Sequence, residues 1–181
     1  MSATTHRVFF ALWPDAESAG HLAALGQALA GRGGRPVRAA SLHLTLRFIG
    51  SVSAADLARI ESVAGGVRGA AFELTLDELG FWPRGGILWA GCRRAPGALR
   101  DLARALDEAL ERAGVASGGH RHPGFAPHVT LARHVRGGNL PRLASTLRWH
   151  VGRFVLAESH LHPAAASYRE LAGFPLAGAA G

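Results

Sequence analysis

The sequence contains no lysine and only one cysteine, Cys92. A single thiol can form neither an internal disulfide nor a cysteine-based zinc site, so the fold depends on packing and suits a reducing compartment. No apolar run reaches the roughly 20 residues that cross a bilayer, and the apolar stretch over 8–13 ends at once at Pro14 and Asp15. We therefore expect a cytoplasmic protein with neither a membrane anchor nor a signal peptide.

The chain does have enough apolar material for a globular core. Of its 181 residues, 48% are hydrophobic and 18% are charged. This composition excludes intrinsic disorder and allows a sizeable buried core. The length predicts a single domain over 1–181, built from two similar halves.

The charge of the chain is basic and comes from one residue type. All 20 basic residues are arginine, and together with 13 acidic residues they give a net charge of +7. Guanidinium groups bind phosphate through two parallel hydrogen bonds and stay charged at any working pH, so an anionic partner is favoured. A skewed coding composition, which would also enrich alanine and glycine, explains the same bias. Because the arginines are scattered, they do not by themselves indicate a nucleic-acid-binding stripe.

Hydrophobic periodicity in the first half predicts alternating strands and helices. Asp15 and Ser53 are suitable N-caps, Asp56 supports the second of these helix starts, and Gly31 is a suitable stop for the first helix. The predicted elements are a strand over 7–13, a helix over 16–30, a strand over 41–48, a helix that begins after Ser53 and a strand over 72–79.

The second half repeats this order, which predicts an internal duplication of roughly 7–80 and 87–159. The first strands of the halves start 80 residues apart, and two similarly placed histidines lie 85 residues apart. The expected elements are a strand over 87–92, a helix over 96–113, a strand over 128–131, a weaker helix over 140–147 and a strand over 151–158. A further strand over 168–176 is expected to close the fold.

One short pattern, His-x-Thr-x with apolar x, occurs at equivalent places in the halves. It reads His43-Leu44-Thr45-Leu46 in the first and His128-Val129-Thr130-Leu131 in the second. Alternate residues of a strand share a face, so each histidine lies beside its threonine. If an approximate two-fold relates the halves, two imidazoles and two hydroxyls face one cleft.

Two imidazoles suit the cleavage of a phosphodiester near neutral pH. A neutral ring can take a proton from water while a protonated ring gives one to the leaving oxygen. Threonine hydroxyls can donate to the non-bridging oxygens. No metal is required, and the sequence near the motifs lacks the acidic ligands of a two-metal phosphoesterase. On symmetry alone, the donor and the acceptor cannot be told apart.

The paired motifs and their flanking segments resemble the bacterial and archaeal RNA 2',3'-cyclic phosphodiesterases, also called 2'-5' RNA ligases, of the 2H phosphoesterase superfamily. The resemblance covers nearly the whole chain. It implies an α+β fold of two pseudo-symmetric β-α-β-α-β lobes, with antiparallel sheets that line a central cleft. The segments that carry it are 7–14, 42–50, 125–133 and Ser167-Tyr168.

The resemblance also implies an activity and its residues. Members hydrolyse a 2',3'-cyclic phosphate at an RNA end to a 2'-phosphate without a metal or cofactor. By motif position His43 is the proton donor, His128 is the acceptor that activates water, and Thr45 and Thr130 bind phosphate. In the reverse, ligating direction the histidines exchange roles. The implied partner is an RNA that ends in a cyclic phosphate, such as a tRNA half, bound by a monomer.

Two arginines are further candidates for substrate binding. Arg47 is in phase with His43 and Thr45, so strict alternation places it in the cleft. Arg133 matches an arginine that follows the second motif in the family. Strict alternation from His128 points Arg133 away from the cleft, so it serves only if the strand ends or bulges there.

Other features have ordinary interpretations. Trp13, Phe48 and Phe125 could stack on a base, but aromatic residues beside strands more often belong to the core. His-x-His pairs at 120–122 and 160–162 have a spacing that can bind a transition metal, but they lie in loop-like sequence and we do not expect a native metal site there.

Three alternatives to an RNA-end phosphodiesterase stay open. One is a related enzyme that acts on small cyclic nucleotides or on ADP-ribose cyclic phosphate. Another is a non-catalytic module that binds RNA ends, although binding alone does not need two titratable groups in phase. The third is a metal-dependent hydrolase.

Overall fold

A computed structural model describes residues 5–115, 125–137, 140, 141, 143, 145–161 and 166–178. These residues form ten strands and three α-helices, and a short 3-10 helix, Ala39–Ser41, precedes the third strand. In chain order the elements are β1 (Thr5–Leu12), α1 (Ala16–Leu29), β2 (Arg35–Pro36), β3 (Leu44–Ser53), α2 (Ala54–Gly65), β4 (Phe72–Leu76), β5 (Glu78–Trp82), β6 (Ile87–Gly91), α3 (Gly97–Arg112), β7 (His128–Arg133), β8 (Leu147–Val151), β9 (Arg153–Leu161) and β10 (Ala166–Pro175).

Most strands belong to one eight-stranded sheet in the order β10-β9-β1-β3-β7-β6-β5, with the short β2 paired to β7. Every strand pair in it is antiparallel. β4 and β8 form a separate antiparallel pair. The centre of the large sheet is narrow, because the register of β3 and β7 is one pair, Leu44 with Val129. The two histidine motifs therefore meet at this junction.

The predicted helix ends follow their capping residues. The Asp15 carboxylate accepts a hydrogen bond of 2.8 Å from the backbone N–H of Ser18 at the start of α1. The Ser53 hydroxyl oxygen accepts one of 3.1 Å from the N–H of Asp56 in α2. After α1, Gly31 has φ of 65°, a conformation that glycine adopts without strain. Each contact satisfies a donor or allows a turn that the helix itself cannot provide.

The sheet has one face covered by helices and one that forms the site. Val8, Phe10 and Leu12 of β1 belong to the large core, which also contains the leucine stripe of α3. The alternate residues Phe9 and Ala11 belong to a smaller cluster on the opposite face. The alternation that predicted a strand thus also separates the core from the face that bears the histidines.

The predicted α+β class with antiparallel sheets is confirmed. The helix predicted over 140–147 is wrong: its described residues before Leu147 are in no helix, and Leu147 begins β8. Pro141 restricts the residue before it to extended backbone, and Leu147, Trp149 and Val151 alternate as strand residues. The lobe pattern is therefore not repeated in full, and the duplication with its boundaries stays a prediction.

Two strand boundaries also differ from the prediction. The strand expected over 41–48 begins only at Leu44, because the 3-10 helix occupies the residues before it. The strand expected over 72–79 is divided at Asp77, whose carboxylate accepts a 2.8 Å hydrogen bond from the Arg93 N–H. The strand expected over 168–176 is present as β10. Within the described residues, no helix is long and apolar enough to cross a membrane.

Candidate active site

The histidine and threonine of each motif lie on the face opposite the helices. Thr45 pairs with Ala11 of β1, and Thr130 pairs with Trp89 of β6. Extending the Leu44–Val129 register by one residue in each direction sets His43 opposite Thr130 and Thr45 opposite His128. Each motif thus places its histidine beside the threonine of the other.

The two imidazole rings are oriented in the same way. The Nδ1 atom of His43 lies 2.8 Å from the Ser41 carbonyl oxygen, and Nδ1 of His128 lies 2.8 Å from that of Ala126. In a neutral ring Nδ1 is therefore the protonated nitrogen that donates to the carbonyl, and Nε2 is the nitrogen that can accept a proton. Both rings are oriented for proton transfer through Nε2.

Aromatic rings pack against each imidazole. Tyr168 of β10 meets His43 edge-on, with ring centroids 4.7 Å apart. Trp82 of β5 meets His128 edge-on at 4.5 Å. Phe9 contacts His43 at 5.0 Å, and Trp89 lies 6.4 Å from His128. These contacts restrict the orientations that the imidazoles can adopt, as acid-base geometry requires.

Trp89 fits beside His128 because its partner on β5 is a glycine. Gly80 is paired with Trp89, and a Cβ atom at Gly80 would overlap the indole ring. The missing side chain is therefore a steric requirement of this part of the site.

The environment of His43 favours its neutral form. Burial lowers its pKa below the usual histidine value, and the nearby positive charges of Arg133 and His128 lower it further. The hydrogen bond with the Ser41 carbonyl acts in the opposite direction. In the ligand-free protein the ring therefore releases its proton more readily than an exposed histidine.

A bulge in each motif strand decides where the following arginine points. The register of β1 with β3 skips Leu46, and that of β6 with β7 skips Leu131. An extra residue reverses the alternation beyond it. Arg133 consequently lines a cavity together with His43 and Thr130. From the sequence, Arg133 can face the cleft only if the strand bulges or ends there, and the bulge meets this condition. The strand β7 also ends at Arg133, and the next residue, His134, has φ of 56°.

The expectation that Arg47 faces the cleft is wrong. Because Leu46 is the bulged residue, Arg47 pairs with Phe10, a residue of the helix-covered face. Its Nε atom lies 3.3 Å from the carboxylate of Asp107 on α3. Arg47 therefore connects the sheet to a helix on the side away from the histidines.

The cavity at the β3–β7 junction has a volume of about 440 Å³. Thr45 and His128 are not among the residues that line the cavity. The register of β3 with β7 places them near it. Arg35, Arg38 and Tyr168, which the sequence did not single out as site residues, also line it. Two clues pointed to Tyr168: it is the only tyrosine in the chain, and it belongs to a segment that carries the family resemblance.

The other aromatic and histidine candidates lie elsewhere. Phe48 packs with the small cluster around Phe9, and Trp13 packs there as well. Phe125 is exposed and lines a separate cavity near α3. None of these three lines the cavity that contains His43.

In the described part of the chain, no three His, Cys, Asp or Glu side chains are grouped to hold a metal. His120, His122 and His162 lie outside the described residues. The Nε2 atom of His160 lies 3.2 Å from the buried carboxylate of Glu158, which also accepts hydrogen bonds from His6 and Arg169. Glu158 stands two residues before His160 in the sequence, and in the structure it takes part in an ion-pair network.

Comparison with known proteins places this geometry in a family. Residues 12–89, which include the first motif, match the model of the LigT-like phosphoesterases. The RNA 2',3'-cyclic phosphodiesterase of Thermus thermophilus is 32% identical over an alignment of 189 residues, gaps included. The alignment covers 95% of this chain and 91% of the relative. The chain belongs to the LigT-like phosphoesterase family. The resemblance read from the motifs is confirmed.

Two further comparisons support this. An RNA 2',3'-cyclic phosphodiesterase of Escherichia coli is 42% identical over 100 residues, which are 55% of each chain. The crystal structure of E. coli LigT complexed with 3'-AMP matches with a TM-score of 0.85 and 32% identity, over 96% of this chain and 99% of that one. The full LigT-like fold is therefore shared, including the region of the second motif.

Proposed function

We propose that this protein hydrolyses the 2',3'-cyclic phosphate at an RNA end to a 2'-phosphate, with His43 and His128 as its acid-base pair. The observation that carries the proposal is the meeting of two His-x-Thr-x motifs at one strand junction, with their histidines and threonines on the same face. The relatives of E. coli and T. thermophilus bear the name of this activity.

The geometry supports a hydrolysis in which one imidazole accepts a proton and the other donates one. Nε2 of one neutral ring takes a proton from water, whose oxygen attacks phosphorus. The P–O3' bond breaks, and Nε2 of the protonated second ring gives its proton to the departing 3' oxygen. The products are a 2'-phosphate and a 3'-hydroxyl. The family resemblance assigns the donor role to His43 and the acceptor role to His128.

The charge around the site supports the binding of the reacting group. Diagonal residues on one face of an antiparallel pair stand about 7–8 Å apart, and His43 and His128 are in this relation in the extended register. A phosphoryl group fits in such a gap. Thr45 and Thr130 donate to its non-bridging oxygens, and the Arg133 guanidinium offsets its charge.

The lowered pKa of His43 bears on its role as donor. In the ligand-free protein, burial and the positive charge of Arg133 favour the neutral ring. A bound cyclic phosphate carries a negative charge, which favours the protonated ring. We infer that His43 takes up its proton when substrate binds. The reverse reaction, 2'-5' ligation of RNA ends such as tRNA halves, requires the same two groups in exchanged roles.

Incubation with an RNA that ends in a 2',3'-cyclic phosphate, in excess chelator, tests the proposal. The expected product carries its phosphate on the 2' position. His43→Ala and His128→Ala should each abolish most of the turnover, while His21→Ala, an exposed residue of α1, serves as the control. Undiminished turnover in both motif variants, or a product phosphorylated at the 3' position, would contradict the mechanism. Salt-dependent RNA binding without any product would identify a binding module instead.

A further inference from the structure

The cavity beside His43 has more positive charge than one phosphate requires. The short strand β2 pairs with the end of β7, which sets Arg35 directly beside Arg133. The backbone N–H of Val37 continues the pairing with a 2.8 Å hydrogen bond to the Leu131 carbonyl. Arg38 follows, and all three arginines line the cavity. This arrangement, Arg35, Arg38 and Arg133, is called the arginine wall below.

The arginine wall is not neutralised by neighbouring acids. No aspartate or glutamate lines the cavity, and among the described residues no carboxylate lies within ion-pair distance of the three guanidiniums. Elsewhere the arginines Arg47, Arg59, Arg104 and Arg169 each pair with a carboxylate. The wall therefore presents charge to whatever occupies the cavity, and anions are its natural ligands.

The reacting phosphate does not account for the whole wall. A cyclic phosphate is a single anion, and the proposed site already supplies two threonines and Arg133 for it. The cavity lining also contains Tyr168 and Ala166, which suit the sugar or base of a nucleotide. Arg35 and Arg38 thus remain for a second anion, and in RNA that anion is attached to the 5' oxygen of the terminal nucleotide.

We propose that Arg35 and Arg38 form a binding subsite for the phosphate on the 5' side of the terminal nucleotide. The subsite selects RNA ends over cyclic mononucleotides with a free 5'-hydroxyl. This inference rests on the proposed cyclic phosphodiesterase activity and adds a preference that the motifs themselves do not contain.

Three substrates distinguish the sources of the second anion: a 2',3'-cyclic mononucleotide with a 5'-hydroxyl, the same mononucleotide with a 5'-phosphate, and a dinucleotide that ends in the cyclic phosphate. The wild-type protein should show a higher kcat/KM for the latter two. Arg35→Gln and Arg38→Gln should each reduce that advantage about 10-fold or more, since each removes a charge-assisted contact. Arg104→Gln, on the exposed side of α3, is the charge-matched control and should preserve it.

Salt supplies an independent readout. The kcat/KM for the dinucleotide should fall more steeply with salt than that for the 5'-hydroxyl mononucleotide, by roughly 0.7 in log-log slope for one additional phosphate contact. The double variant, Arg35→Gln with Arg38→Gln, should remove this difference. A preference and a salt slope that are the same in wild type and double variant would overturn the subsite while leaving the phosphodiesterase intact.

If no cyclic phosphate is hydrolysed at all, the proposed function is wrong, and binding of a 5'-phosphorylated dinucleotide decides the subsite alone. Weaker, less salt-dependent binding to the double variant would then support it. Equal binding to the wild-type protein, the double variant and the Arg104→Gln control would overturn it.

Discussion

The segment that runs from His43 into β3 and the strand β7, which begins at His128, are alike up to the end of their motifs. Each histidine donates from Nδ1, when neutral, to the carbonyl two residues before it, and each meets one aromatic ring edge-on. Each strand then has a bulge at the final leucine of the motif, Leu46 or Leu131. The orientation of each imidazole is therefore determined by contacts close to its own motif.

The strands differ at the first residue that returns to the site face after the bulge. That residue is Phe48 on β3, with the Arg7 guanidinium 4.6 Å above its ring. On β7 it is Arg133, which lines the cavity and acts on His43. The two imidazoles therefore have similar geometry but different electrostatic surroundings, because β7 contributes an arginine where β3 contributes a phenylalanine.

Replacing each histidine tests how equal the two sides are in catalysis. His43→Ala and His128→Ala should each lower kcat by about 10²- to 10⁴-fold, because each removes one proton transfer. The double variant should be little worse than either single one, since the groups act as a unit. Single-turnover rates with folding verified by circular dichroism provide the measurement. A strongly additive double variant would show that the histidines work independently.

Arg133 and Phe48 test the side chains that differ. Arg133→Ala should lower kcat/KM about 10- to 100-fold, the range expected for a lost charged hydrogen bond, and Arg133→Lys should recover only part because it lacks the planar fork. Phe48→Leu should have a much smaller effect on kcat/KM. If Phe48→Leu costs as much as Arg133→Ala, the inequality drawn between the strands is incorrect.

Replacing Gly80 tests the steric requirement for a glycine opposite Trp89, a feature described only on the His128 side of the site. Gly80→Ala forces the Trp89 indole from its position and should lower the free energy of unfolding by about 1–3 kcal/mol. Denaturant unfolding measures the change, with Gly20→Ala as the control. A Cβ at Gly20 meets no atom within 4 Å in α1, so that variant should be neutral or slightly more stable. Equal destabilisation of both would contradict the steric reason.

The pKa of His43 tests the electrostatic effect of Arg133, a residue of β7, on the first motif. NMR titration should find its pKa below the usual histidine value, because burial penalises the charged ring. Arg133→Ala should raise this pKa by removing a like charge, yet leave it below the usual value, since burial is the larger cause. Arg47→Ala should leave it unchanged, because that guanidinium lies on the other face. A fall of the His43 pKa in Arg133→Ala would refute the electrostatic account.

Much of this fold is visible in local sequence patterns. Helical spacing and capping residues predicted the starts of all three helices and the ends of α1 and α3 to within a residue, and two-residue alternation predicted β3 and β7. The placement of His43, His128, Thr45 and Thr130 on one face needed only the two-residue period of a strand. The error over 140–147 came from weighing helical spacing above Pro141 and the alternation that begins at Leu147.

What the sequence could not supply depends on contacts between distant segments. The residues around Leu46 do not indicate a bulge, because the bulge is visible only in the pairing of β1 with β3. Strict alternation therefore assigned Arg47 to the wrong face. The same reversal at Leu131 brought Arg133 into the site. Arg35 and Arg38 became visible only when β2 was paired with β7. Long-range pairing thus determines which arginines can meet the substrate.

The arginine wall has a consequence for how a catalytic cycle ends. A cyclic phosphodiester carries one negative charge, whereas the monoester formed from it approaches two once the pH exceeds about 6. Guanidiniums stay charged at any working pH, so their attraction for the phosphate does not weaken as the pH rises. If the protein hydrolyses a cyclic phosphate as proposed, the product is held more firmly than the substrate, and we expect product release to limit repeated turnover at neutral pH.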